Sequence, residues 1–524
     1  MTTAEALATS TLPARAGARQ WAALGVLMLP VLLVSVDNTV LNFALPAISE
    51  ALEPTGVALL WIIDIYPLVL AGLLVAMGSL ADRIGRRKLL VIGSVGFVAM
   101  SIVAAFSSTA EALIAARAAL GFFGAMLMPS TLSLLRSVFL DRDQRRMAIA
   151  VWATGFAAGS ALGPIVGGLL LAHFWWGSVF LIAVPVLIPL LILVPLLIPE
   201  SRDPNPGTID LLSILLSLAA MAPLVFGIKS LANGGNVVIG VMAVAIGAAS
   251  GLLFVRRQLR RRNPMLDVRL FTRPAFSGAV GVNLLSVIAL VGGLFFISQH
   301  LQLVLGQDPI EAALTLLPGL VAMIIAGLAV VPIARRTRPS IVIPIGLMLS
   351  ASGYTMIAVL GNGLSAGAFI IAFIALGIGI GAAETVSNEL IIATAPADKA
   401  GAASAVSETA YELGAVLGMA ILGTIITASY RAAVVLPFGL TPAQADAAGE
   451  TIGGAAAVAK TLPSLQADAL MASARHAFDS GVALTAGIGA GLVLLAAVLA
   501  AVTLRRERSA SKKTDAVRPD RVLD

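Results

Sequence analysis

Asp37, Asp64, Arg117, Glu384, Glu408 and Glu412 stand inside stretches of sequence that are otherwise apolar. A charge in hydrocarbon costs about 2.5–3.5 kcal/mol on insertion scales, so each of these residues needs a chemical reason to be there. Asp37 lies about nine residues, and Asp64 about five, from the ends of their stretches that face away from the basic loops; at 1.5 Å per helical residue their carboxylates differ in depth by roughly one turn. Arg117 falls at a similar depth in the fourth stretch and is the one cation in any span interior. The pattern predicts an Asp–Arg cluster facing a polar cavity, with a helix-packing ion pair as the competing reading.

Glu408 and Glu412 are four residues apart and therefore share one helical face. Glu384, on the preceding stretch, reaches a similar depth, with Asn388 one turn further on and Glu389 near the membrane edge, where a cap serves as well as a function. Carboxylates crowded in a low dielectric take up protons more readily, which proton coupling requires. Together they also form an anionic cage suited to a cation. Trp61, Phe43 and Tyr411 are candidate aromatic walls for such a substrate.

The elements that position these residues follow from composition. Of 524 residues, 59% are apolar and 12% charged, where an ordinary soluble domain carries about 25% charge. The mean hydropathy is +0.98. A soluble protein of this length lacks the polar surface it would need, and disordered chains are charge-rich and apolar-poor. The chain contains no Cys, and His173, His300 and His476 are scattered, so no metal site is expected. A net charge of +6 without a basic soluble module does not indicate nucleic-acid binding. No GxxxxGK[ST] loop occurs, so no ATP-driven step and no cofactor are expected, and a proton gradient is the expected energy source.

A membrane span needs roughly 20 mainly apolar residues. Fourteen such spans are expected, near 21–45, 59–80, 88–107, 111–135, 146–170, 175–198, 209–229, 236–256, 275–299, 310–334, 340–360, 365–393, 401–428 and 480–504. Alternate loops carry the basic runs, and with both tails inside 29 of the 34 Lys and Arg fall on one side, which the positive-inside rule assigns to the cytoplasm. The expected organisation is a cytoplasmic tail 1–20, a six-helix bundle 21–198, a linker and two-helix insert 199–274, a second six-helix bundle 275–504 with a long outer loop 429–477, and a cytoplasmic tail 505–524. Asp308-Pro309-Ile310-Glu311 reads as the start of the tenth span. Two bundles with an echoed basic loop, Arg335-Arg336-Thr337-Arg338, fit a transporter that alternates access around a midplane site.

Two glycine motifs complete the pattern. Gly78-x3-Asp82-Arg83-x-Gly85-Arg86-Arg87-Lys88 joins the second and third spans, and Gly155-x3-Gly159-x3-Gly163-Pro164-x2-Gly167-Gly168 lies on the fifth. With Arg117-x3-Gly121-x2-Gly124 and Ser35-Val36-Asp37-Asn38-Thr39, these residues make the chain resemble the major facilitator superfamily, in particular its 14-helix drug:proton antiporters of bacteria. The resemblance implies an all-α polytopic membrane protein with the major facilitator fold, two six-helix bundles and a two-helix insert. It also implies roles. Asp37, Asp64, Arg117, Glu408 and Glu412 would carry protons, and Asp37, Asp64, Glu384, Glu408, Tyr411, Glu412, Trp61 and Phe43 would meet substrate. Gly78, Asp82, Arg83, Gly85, Arg86 and Arg87 would stabilise the outward-open state, and Gly159, Gly163, Pro164 and Gly167 would seal the bundle interface. Some relatives that export dications carry a further acid on the tenth span; 312–334 has none.

The expected function is proton-coupled export of lipophilic, mainly cationic drugs, dyes and antiseptics across the bacterial inner membrane, by a monomer in contact with membrane lipid. The alternative on the same architecture is export of a lipid, fatty acid or siderophore-like metabolite. An enzyme is not expected, because no nucleophile constellation gathers at one membrane face.

Overall fold

The computed structural model describes residues 15–52, 54, 56–202, 210–232, 236–261, 264, 266–307, 309–360, 365–395 and 400–516. The elements are α1 (Ala18–Leu52), α2 (Gly56–Ile84), α3 (Arg86–Ala105), α4 (Ala110–Val138), α5 (Arg142–His173), α6 (Ser178–Leu181), α7 (Ala183–Leu197), α8 (Leu211–Ala232) and α9 (Val237–Arg260). They continue with α10 (Pro274–Gln299), α11 (Pro309–Arg336), α12 (Pro339–Leu360), α13 (Ala366–Thr394), α14 (Ala400–Ala433), α15 (Pro442–Glu450), α16 (Ile452–Ala459) and α17 (Ser464–Ala516).

Side-chain caps set several starts. The Thr109 hydroxyl accepts from the Ala112 N–H, Asp141 accepts from Asp143 and Gln144, and Ser365 accepts from Ala368. Interior prolines such as Pro67, Pro129, Pro318 and Pro344 leave their helices unbroken, as membrane helices allow where neighbouring groups satisfy the freed carbonyls. Among the described residues, 13 helical segments are long and apolar enough to cross a membrane, the broken pair α6–α7 counting as one. The glycine-rich α5, 32 residues long, lies where the remaining expected span was placed, so the count is close to the fourteen expected.

The packing has a twofold logic. In the first half α1 lies against α5 and α7, α2 against α4, and α3 against α4 and α7. In the second half α10 lies against α14 and α17, α11 against α13, and α12 against α13 and α17, which is the same pairing in order. The halves meet along two seams, α2 with α14 and α5 with α11. The hairpin α8–α9 docks through α8 onto α2 and α14, where Ser217 donates to the Gly72 carbonyl at 2.7 Å. Arg257 and Arg261 bind Asp210 at 2.8 and 3.1 Å, tying the ends of this hairpin. Hydrogen bonds from Arg257 and Ser213 hold the Asp210 carboxyl well below the usual carboxylate range.

The outer loop 429–477 is largely helical, because α14 runs to Ala433, Thr441 and Gln444 form a capping box for α15, and α17 begins at Ser464. The expected cap Asp308 lies outside the described residues, although α11 does begin at Pro309 with Glu311 in its first turn.

Candidate functional site

Asp37 and Arg117 meet as expected from their depths. Their oxygen and nitrogen are 3.6 Å apart, an ion pair longer than a hydrogen bond, and both residues are buried at 6% and 1% exposure. Arg117 also donates to the Ile63 carbonyl at 3.4 Å. Its guanidinium lies over the rings of Tyr66 and Phe180, 5.2 and 5.9 Å from their centroids, so cation–π contact replaces part of the lost hydration. Arg117 therefore joins α1, α2, α4 and α6 around one charge. The side chains of Asp64 and Phe43 lie outside the described residues.

Glu412 brings the second half to this pair. It is 1% exposed, the Asn38 amide faces its carboxylate, and the Asp37 charge acts on it. The two acidic clusters expected from the sequence thus act on each other across the boundary between the halves. Glu408 lies one turn away on α14 and interacts with both Glu412 and Glu384 of α13. Among the described residues, one carboxylate oxygen each of Glu384 and Glu408 is buried without a hydrogen-bond partner. Such oxygens are costly to keep in place unless a proton or cation visits them.

Below these acids, Asn283 of α10 donates to Asn388 Oδ1 at 3.0 Å, and the Ser407 hydroxyl donates to the same oxygen at 2.5 Å. The trio fixes α10, α13 and α14 next to Glu384 and Glu408. Asn283 escaped the sequence reading, although a lone Asn in an apolar span carries the same signal as a lone charge.

The aromatic candidates divide. Tyr411 packs on Phe156 of α5 at 4.4 Å between centroids, so it stands on the seam between the halves. Trp61 stacks on Phe226 of α8 at 6.2 Å and 10° between planes, facing the inserted hairpin.

The glycine stripe of α5 faces α1. An added Cβ at Gly159 would stand 2.8 Å from the Leu32 carbonyl, and one at Gly163 would stand 2.7 Å from the Thr39 Cβ. These residues seat α5 within its own half, while Gly168 approaches Ile310 of α11 across the seam. Gly167 is buried, and the side chain of Pro164 is outside the described residues.

On the basic face, Gly78 and Asp82 are buried, Asp82 accepts from Arg86 at 2.8 and 3.0 Å, and Arg83 is exposed. Gly85 has φ 114°, a conformation that other residues rarely adopt. That turn admits Glu200, whose carboxylate accepts from the backbone N–H groups of Arg87 at 3.0 Å and Lys88 at 3.1 Å and so caps α3. Arg87 donates to the Ile198 carbonyl at 3.1 Å, and Arg86 to Ser201 Oγ at 3.1 Å. The sequence reading placed Glu200 in a linker and missed this latch. A second clasp joins the halves: Arg146 of α5 pairs with Glu389 of α13, and Arg136 of α4 donates to the Ile392 carbonyl at 3.3 Å. Among the described residues no group of three or more His, Asp or Glu is disposed to hold a metal ion.

A helical membrane protein of two similarly packed halves, with charges buried between them, has the architecture of a secondary transporter. The chain belongs to the Major Facilitator Superfamily, whose model matches residues 27–419. It is 57% identical over 492 residues to the multidrug efflux pump LfrA of Mycolicibacterium smegmatis, covering 94% of this chain and 98% of that one. It is 38% identical to the methyl viologen resistance protein SmvA of Salmonella typhimurium, covering 91% and 97%. It is 32% identical to the tetracenomycin C resistance and export protein of Streptomyces glaucescens, covering 93% and 92%. The fold is shared with the human organic anion transporter MFSD10, at a TM-score of 0.57 and 15% identity over 92% of this chain and 99% of that one. The chain is a multi-pass membrane transporter.

Proposed function

We infer that this protein exports lipophilic, mainly cationic drugs, dyes and antiseptics across the bacterial inner membrane in exchange for protons. The observation that carries this reading is the charged layer in which Asp37 and Arg117 of one half face Glu412 of the other. A cation entering the seam meets more carboxylates than guanidiniums there: Asp37, Glu384, Glu408 and Glu412 against Arg117 alone among the described residues. Protons arriving from outside neutralise the acids, weaken the hold on the cation and let the halves rock back. Tyr411 provides an aromatic wall on the seam. The names of the relatives, a multidrug efflux pump and resistance proteins, favour drug export over the lipid or metabolite alternative.

Arg146 and Glu389 tie the two halves on the basic face and would part when the site turns inward. The distribution of 29 of the 34 basic residues supports cytoplasmic termini. The charged layer is assembled within one chain, which supports a working monomer. The test is efflux of a cationic dye from energised vesicles, with and without an uncoupler. Efflux should stop when the proton gradient collapses; efflux that persists overturns the coupling.

A further inference from the structure

The segment from Arg256 to Arg273 is the most basic of the chain, and the charged layer makes no use of it. Its geometry is built rather than incidental. At the end of α9 the buried Gln258 donates to Ser213 Oγ at 2.7 Å and accepts from the Leu266 N–H at 3.3 Å, folding the loop back on itself. Leu266 and Leu270 are buried and anchor the 3-10 turn Val268–Thr272 as a second wall. Between the walls lies a cleft of about 480 Å³ lined by Gln258, Arg260, Arg261, Asp267 and Arg269.

The nearby carboxylates are already engaged. Asp210 takes Arg257 and Arg261, and Asp267 accepts from the Arg269 backbone N–H to cap the turn. Arg260 and Arg269 are exposed, and with Arg261 they outnumber Asp267, the carboxylate that lines the cleft, and leave it net positive. Its flank is apolar: Leu253, Val255, Leu259 and Phe271 are exposed, and α9 above it presents Val241, Met242, Ile246 and Leu252 outward. A water-soluble anion needs only the charge; the apolar flank calls for an anion with acyl chains.

We propose that this cleft binds the phosphate headgroup of an anionic phospholipid, with its acyl chains lying along α9. Planar guanidiniums suit a phosphate through paired N–H donors, and basic pockets at the cytoplasmic ends of membrane helices hold anionic headgroups. The bound lipid fixes the inserted hairpin to the inner leaflet and does not depend on which substrate is carried.

Delipidated full-length protein in detergent is offered phosphatidylglycerol, phosphatidylcholine or inorganic phosphate, and the retained lipid is measured by native mass spectrometry. Phosphatidylglycerol should be retained roughly thirtyfold over phosphatidylcholine, on the scale of two basic residues meeting an anionic lipid. The Arg260→Gln/Arg269→Gln pair should abolish that preference. The Arg336→Gln/Arg338→Gln pair removes two charges from the same face and should keep it. Equal retention of both lipids, or equal loss in both pairs, overturns the cleft. Displacement of phosphatidylglycerol by millimolar phosphate makes it a site for free anions and overturns the lipid assignment.

Discussion

Asp37 and Glu412 come from opposite halves of the molecule, yet the Asp37 charge acts on Glu412, and the Asn38 amide beside Asp37 is turned toward that carboxyl. Any motion that separates α1 from α14 changes the environment of both acids at once. Binding, protonation and the opening of the seam are therefore linked through the same side chains, which an antiporter needs if a proton and a cation are to exclude each other.

Neutral isosteres isolate the charge from the packing. Asp37→Asn and Glu412→Gln should each lower efflux of a cationic dye at least tenfold, roughly 1.4 kcal/mol, without loss of the folded protein by size-exclusion chromatography. Wild-type efflux in both variants would remove these acids from the mechanism.

Arg117 is the counter-charge. Arg117→Met leaves Asp37 buried without its cation, a change that costs about 3–5 kcal/mol where a buried pair is broken. The Asp37→Asn/Arg117→Met double variant removes the orphaned charge and should recover most of the lost thermal stability in detergent. Equal stability of single and double variants would show that the 3.6 Å contact carries no coupling.

Much of this site was legible because a charge in hydrocarbon is conspicuous. Asp37, Arg117, Glu384, Glu408 and Glu412 stand out against apolar neighbours, and helical rise alone set their depths. What the pattern hides is direction. In a membrane helix the lipid-facing and core-facing sides are both apolar, so nothing in the sequence turned Trp61 toward Phe226 or the glycines of α5 toward α1. Glu200 was hidden for another reason: in a polar linker an acid is unremarkable, and its value as a cap appears only once α7 returns beside α3.

Gly85 links backbone and latch. Its φ of 114° belongs to glycine, and a Cβ there would stand 2.6 Å from the Glu200 carboxyl carbon. Gly85→Ala should cost about 1–3 kcal/mol from the backbone conformation alone, read as a lower unfolding temperature and slower efflux. Glu200→Gln, which keeps one acceptor, should be milder; the reverse order would contradict the latch.

The clasp between the halves predicts rescue. Reversing one charge, Arg146→Glu or Glu389→Arg, should lower the efflux rate, and the exchanged pair should restore most of it. Failure of the exchange with intact folding would mean that Arg146 and Glu389 are not required to meet during transport.

Direct exchange of cation for proton is the central claim, and purified protein in weakly buffered detergent tests it without any gradient. Addition of a cationic dye should release protons from the wild type, seen with a pH indicator, and the release should be lost in Glu412→Gln. Dye binding with no proton release from the wild type would contradict the account.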